Sequence, residues 1–282
     1  MKLKKNVLIF CDLDGTALAS DHTFSQITKE VVKKVYGKNY YFIPVTARST
    51  KDAIDFQSIH LELDKLGGIA SGNNGSHIYD FKNKTWIERA YVSEENIKKI
   101  FNLTYGQIGK YKVHFFSDQT CFVYGEGENS KYWSEIMQMD YKIIEKLSDI
   151  NEKINHLVVI LEKNPSEQIQ NNFLEKFKII SNELDIIKYT DRVYELAVKG
   201  INKGSVIRKV QQYLNLDNSN TSVFCFGDSF NDIEMFKEAE FPVAMENAID
   251  ELKQIAKFIT LSNDNDGVAK FIEKNILKEE KE

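Results

Sequence analysis

An apolar run without polar alternation, Val7-Leu-Ile-Phe10, leads through Cys11 directly into Asp12-Leu13-Asp14-Gly15-Thr16. Such a run suits a strand buried on both faces, as in a parallel sheet flanked by helices. In open α/β sheets the ligand crevice lies at the carboxyl ends of the strands, so these acids stand where chemistry is done. Asp12 and Asp14 are two apart and project to one side of an extended chain, while Gly15 permits a sharp turn. Two clustered carboxylates repel unless a cation or a shared proton intervenes, so the stretch asks for a metal. The plainer alternative is an Asp-Gly turn with solvated acids.

The pattern recurs. Ser222-Val-Phe-Cys-Phe226 is a second buried run, and it ends in Gly227-Asp228-Ser-Phe-Asn231-Asp232, with a helix beginning at Ile233. Asp228 and Asp232 both suit a metal site, and an N-cap role competes for one of them. Between the two runs, Tyr40–Val45 forms a further strand, in which Pro44 is unexpected for a central position. It ends in Thr46-Ala47-Arg48-Ser49-Thr50 before a helix from Lys51 to His60. A hydroxyl and a cation at that junction suit a phosphate, because a helix N-terminus presents free N–H groups. Ser49 and Thr50 serve equally well as helix caps. Lys203 falls in or just before the first turn of a helix carrying Val206, Ile207, Val210 and Leu214. A cation there opposes the helix dipole, and a phosphate would offset that cost; a solvated lysine is the alternative. Asn74 lies in the tight polar turn Asn73-Asn74-Gly75 and offers an amide.

Length and composition leave room for two domains and for sizeable cores, with 282 residues, 42% of them hydrophobic. The net charge of −5, with both signs interspersed, argues against nucleic acid or an anionic membrane as partner. No apolar run approaches a membrane span, and the stretch after the basic N-terminus is too short for a signal peptide. Cys11, Cys121 and Cys225 are odd in number and widely separated, which suits reduced core thiols and a cytoplasmic location. The periodicity changes after Phe81: a helix over Ile97–Ile108, aromatic-rich strands at Lys112–Phe116 and Thr120–Tyr124, and a short helix near Tyr132–Met137 do not alternate strictly. Residues 82–189 therefore read as an α+β domain inserted into an α/β core of residues 1–81 and 190–282. Phe115, Phe116, Phe122 and Tyr124 are either this domain's core or a stacking surface for substrate.

Asp12-Leu-Asp14-Gly15-Thr16, Thr46-Ala-Arg48, Lys203 and Gly227-Asp228-Ser-Phe-Asn231-Asp232 together resemble the four ordered motifs of the haloacid dehalogenase superfamily. The position and size of the insert resemble the type-2 cap of its Cof-like, sugar-phosphatase branch, as do Phe241-Pro-Val-Ala-Met-Glu-Asn-Ala and Asn265-Asp-Gly-Val-Ala269. Ala47 and Glu246 stand where that family usually has glycine, and neither change removes a chemical group. The resemblance implies a Rossmann-like parallel-sheet core, Mg²⁺, and a phosphatase acting on a small phosphorylated metabolite, a sugar or cofactor phosphate, with the cap closing over the site.

In that reading Asp12 is the nucleophile that forms an aspartyl-phosphate. Asp14 protonates the leaving oxygen and then deprotonates water, with a pKa held up by neighbouring carboxylates. Mg²⁺ takes Asp12, the Asp14 carbonyl and Asp228, while Asp232 fixes the metal shell or Lys203. Thr46, Lys203 and Asn231 hold phosphate oxygens, with Arg48 and Asn74 as weaker phosphate or substrate contacts. A phosphosugar mutase or other phosphotransferase, and a non-catalytic phosphate sensor, are the alternatives; a monomer or a small homo-oligomer fits either.

Overall fold

The computed structural model describes residues 2–128, 130, 140–180 and 182–278. The short helix expected near Tyr132–Met137 lies outside them. In chain order, β1 spans Asn6–Cys11, β2 Tyr41–Pro44, β3 Ile69–Gly72, β4 His77–Asp80 and β5 Thr85–Arg89. Next come β6 (Tyr111–Phe116), β7 (Thr120–Tyr124), β8 (Asp140–Ile143), β9 (His156–Leu161), β10 (Leu184–Lys188) and β11 (Val193–Val198). The last three strands are β12 (Thr221–Gly227), β13 (Phe241–Ala244) and β14 (Phe258–Ile259). The chain divides into two compact units, Met1–Arg89 with Asn202–Glu282, and the inserted Ala90–Ile201.

The first unit is built on a parallel five-stranded sheet in the order β14-β13-β12-β1-β2. The two long apolar runs are neighbours at its centre, with Phe10 opposite Cys225 and Cys11 opposite Phe226. Phe10, Phe224 and Phe226 are wholly buried, each contributing about 1.5–3 kcal/mol of transfer free energy. Because β1 and β12 are adjacent and parallel, their carboxyl ends bring Asp12 and Asp228 together. Pro44 is accommodated because β2 is the last strand of this sheet, where a missing N–H costs no ladder bond on the open side. Helix α1 (Gln26–Gly37) starts at Ser25, whose hydroxyl accepts from the Thr28 N–H at 3.1 Å, and it buries Val31, Val32 and Val35. Strands β3, β4 and β5 form a separate antiparallel sheet.

The inserted unit is a six-stranded sheet, β10-β11-β9-β6-β7-β8, antiparallel except for β7 with β8. One of its faces carries helices α2 (Glu94–Thr104) and α3 (Glu167–Phe177), and the core between them gathers Phe101, Phe115, Phe122, Tyr124, Phe173 and Tyr194. Phe116 lies in another cluster, stacked on His156 at 4.5 Å. The expected boundaries of 82 and 189 are both too early. Thr85–Arg89 completes a hairpin with β4 in the first unit, and Val193–Val198 is hydrogen-bonded between β9 and β10 in the insert. All three cysteines are buried and unpaired.

Candidate active site

Asp12 follows β1 directly, and its N–H still donates to Phe226 O on β12 at 3.0 Å, so strand pairing fixes its backbone. Lys203 opens helix α4 (Lys203–Tyr213), which is held by a capping box between Asn202 and Ser205. Its ammonium donates to Asp12 Oδ1 at 2.6 Å and to Asp232 Oδ1 at 2.7 Å, with only 1% of the lysine exposed. The electrostatic cost of a cation at a helix N-terminus is thus offset by two carboxylates of the chain itself. Asp232 Oδ2 accepts the N–H groups of Asp228 and Ser229, each at 3.0 Å. Asp232 thus pairs with Lys203 and closes the turn after β12 from the end of the short helix Phe230–Asp232, but its side chain makes no N-cap bond to the helix that starts at Ile233. Thr16 Oγ donates to Asp228 Oδ1 at 3.0 Å and orients it.

Glycine is required at two points here. Gly15 has φ +71°, and a Cβ on it would stand 2.5 Å from Asp228 Oδ2. At Gly227 a Cβ would come within 2.6 Å of Asp232 Cγ.

Among the described residues, Asp12, Asp228 and Asp232 offer carboxylate oxygens all within 4.8 Å of one another. Three carboxylates share one ammonium, an excess of negative charge. Burial first, then the neighbouring carboxylates, push the Asp12 carboxyl well above its ordinary range against the pull of Lys203. Asp228 is likewise raised, by burial and then by Asp232. Burial pushes Lys203 down, but Asp12 and Asp232 outweigh it and the net direction is up. An all-oxygen set with surplus negative charge fits a hard divalent cation. Asp12 and Asp228 are its better ligands, since both oxygens of Asp232 are already bonded to donors. The Asp14 carboxylate is not in the cluster, so only its carbonyl remains to serve as a ligand.

Asp14 departs from expectation. Arg48 grips it with two parallel bonds, Nε to Oδ2 and Nη2 to Oδ1, both 2.7 Å, and His22 Nδ1 lies 3.0 Å from Oδ1. Burial pushes its carboxyl up, but the Arg48 bonds and charge, helped by His22, outweigh it and lower the pKa. The expected upward shift from neighbouring carboxylates is therefore corrected: Asp14 faces Arg48 and His22, not acids. Arg48 is also engaged on its other side, where Nη1 donates to Asp52 at 2.7 Å, so two carboxylates hold its fork. Thr46 Oγ accepts the Arg48 N–H at 3.1 Å, which leaves its hydroxyl proton to point elsewhere. Asn74 donates its N–H to Thr46 O at 2.9 Å, and its Oδ1 accepts from Asn231 Nδ2 at 3.3 Å, so these three expected phosphate contacts are linked. Ser49 caps the Asp52 N–H at 3.3 Å, while the Thr50 hydroxyl bonds His77 and Asn73. His22, Asp52 and Asn247, whose amide donates to Gly15 O at 2.8 Å, were not singled out from sequence. Asp52 carried a signal in its i,i+4 spacing from Arg48, and Asn247 lies within the stretch Phe241–Ala248 noted above for its resemblance.

Residues 9–272 match the family of haloacid dehalogenase-like hydrolases. The chain belongs to that family. It is a phosphatase, as are its named relatives. It is 29% identical over 266 residues to the 5-amino-6-(5-phospho-D-ribitylamino)uracil phosphatase YcsE of Bacillus subtilis, with 94% of each chain covered. Its fold is similar to that of a haloacid dehalogenase-like hydrolase from Bacteroides thetaiotaomicron, with a TM-score of 0.81, 21% identity and coverage of 97% and 99% of the two chains. The subclass IIB sugar phosphatase BT4131 also shares the fold, with a TM-score of 0.77, 19% identity and coverage of 96% and 99%. Among the described residues no helix is long and apolar enough to cross a membrane.

Proposed function

We propose that this phosphatase hydrolyses the phosphate monoester of a small polyhydroxylated metabolite, a sugar or ribityl phosphate, through an aspartyl-phosphate on Asp12. The observation that carries the reading is the buried Lys203, which donates to Asp12 Oδ1 at 2.6 Å beside the clustered Asp228 and Asp232 carboxylates. Mg²⁺ would be held by Asp12, Asp228 and the Asp14 carbonyl, and when bound it would offset the repulsion between phosphate and Asp12. Asp12 Oδ2 attacks phosphorus as the bond to the leaving oxygen breaks, and Asp14 passes a proton to that oxygen. Water then attacks the acyl phosphate, Asp14 takes its proton, and inorganic phosphate and free Asp12 result. Lys203 and the Thr46 hydroxyl stabilise the equatorial oxygens as charge redistributes, with Asn231 held in place by Asn74. The substrate class is supported by the ribityl phosphate named for the relative in Bacillus subtilis and the sugar phosphatase sharing the fold.

Phosphate release from a panel of sugar, ribityl, nucleotide and aryl phosphates, with and without Mg²⁺, tests the reading against Asp12→Asn. Metal-dependent release that Asp12→Asn abolishes is the expected outcome. Release that persists in Asp12→Asn would remove the covalent route.

A further inference from the structure

Arg48 is 8% exposed at its side chain, Asp52 18% and Asp14 39%, so Asp52 is the more enclosed of its two carboxylate partners and Asp14 the outer one. The guanidinium is planar, and the direction of Nη1 dictates where Nε and Nη2 point. Asp52 lies in the helical segment Lys51–Gln57, with its own N–H held by Ser49 Oγ, whereas Asp14 lies in the turn after β1. A firmly seated carboxylate thus aims an arginine whose other two donors clamp a half-open one. Asp52 is not among the clustered carboxylates Asp12, Asp228 and Asp232, and its carboxylate is joined to Asp14 through the Arg48 fork.

We infer that Asp52 is a positioning residue for proton transfer: by fixing Nη1 of Arg48 it sets the place from which Asp14 serves the leaving oxygen. The inference rests on the proposed hydrolysis and concerns one step of it. Were the Arg48–Asp52 contact only an i,i+4 pair that steadies the segment, its loss would slow every substrate alike.

Leaving groups separate the two. An alkyl phosphate such as glucose 6-phosphate needs a proton on its departing oxygen, whereas 4-nitrophenolate departs without one. General acid–base catalysis is worth about 10²–10⁴-fold, of which Asp52 governs the part transmitted through Arg48. Asp52→Ala is expected to lower the first-turnover rate of leaving-group release, which precedes the water step common to all esters, roughly tenfold further for the most active alkyl phosphate than for 4-nitrophenyl phosphate. Asp52→Asn, which retains an oxygen to accept from Nη1, is expected to recover part of the loss, and it carries the same comparison should the alanine variant not fold. In an Arg48→Ala background Asp52→Ala is expected to add nothing, as for residues acting as one unit. Equal losses on both esters, or an additive double variant, would overturn the inference while leaving the hydrolysis intact. Wild type that releases phosphate from neither ester would instead overturn the proposed function, and the inference with it.

Discussion

Replacing Asp232 by asparagine should injure both stability and rate. Asp232 is 0% exposed and accepts three bonds, from the Lys203 ammonium on one oxygen and from the N–H groups of Asp228 and Ser229 on the other. Asparagine keeps one oxygen, so either its amide N–H₂ faces the ammonium or it faces two backbone donors. Asp12 still compensates the ammonium, so the cost is that of turning a buried N–H₂ onto donors that Asp232 satisfied, about 1–3 kcal/mol. In a domain of this size each kcal/mol lowers Tm by about 2–4 °C, so a fall of roughly 2–12 °C is expected. Lys203 would then be held by Asp12 alone, and kcat should drop by at least about tenfold, the equivalent of 1.4 kcal/mol. Thermal melts in metal-free buffer and initial rates on the best ester check both numbers. An Asp232→Asn variant that melts within about 2 °C of wild type would refute the argument that Asp232 supports a buried charge.

Two further outcomes follow from other parts of the molecule. Gly227→Ala would force a Cβ to within 2.6 Å of Asp232 Cγ, so it should cost about 1–3 kcal/mol and disturb the same lysine; Gly37→Ala, with nothing within 4 Å, should change stability by less than about 0.5 kcal/mol. Paired melts and rates decide, and equal effects of the two would count against the close approach. In the inserted unit, burial, and then the charge of Lys112, hold the His114 imidazole down at about 3. Unfolded, it titrates near 6.5, so the unfolded chain binds a proton that the folded unit refuses, and stability present above that pH is lost as pH falls. Between pH 7 and pH 5 the loss should be about 2 kcal/mol, to which His156, lowered chiefly by burial, adds in the same direction. Urea unfolding at the two pH values should show a shallower loss in His114→Gln than in wild type; identical pH dependence would refute it.

The parallel core was legible because its strands are buried on both faces and end in acids. Val7–Phe10 and Ser222–Phe226 could hardly be anything but central strands, and adjacency of β1 and β12 follows from both sets of carboxylates serving one site. Less legible was which charge each polar group answers. Lys203 reads from sequence as a cation awaiting phosphate, yet two carboxylates some 191 and 29 residues away in the chain already hold it. Arg48 reads as a phosphate ligand because it follows Thr46 at a helix start, and the decisive fact was Asp52 one turn later. His22, with φ +62°, carries no sequence mark of its proximity to Asp14, since that backbone shape arises from the turn. The unit boundary moved for a similar reason: hydrogen bonding, not hydrophobic period, assigns Thr85–Arg89 to the hairpin with β4 and Val193–Val198 to the insert.

Asp12 and Asp14, separated by one residue, occupy opposite electrostatic environments, and the sense of the opposition is the reverse of what the proposed reaction needs. The nucleophile should be ionised, yet burial and its neighbouring carboxylates raise Asp12. The proton donor should hold a proton, yet Arg48 and His22 overcome burial and lower Asp14. Enzymes that use two carboxylates in distinct roles commonly set the two pKa values apart through the protein alone. Here the protein sets them apart in the wrong direction, and charges brought by ligands would reverse both. Positive charge beside Asp12 and Asp228 favours the ionised nucleophile, and a phosphate dianion close to Asp14 favours its protonated form while competing for Arg48. In the proposed mechanism the two aspartates would therefore acquire their roles only when cation and phosphate ester are both present. An arginine anchored on Asp52 suits this arrangement, because it can yield Asp14 to a proton without itself leaving the site.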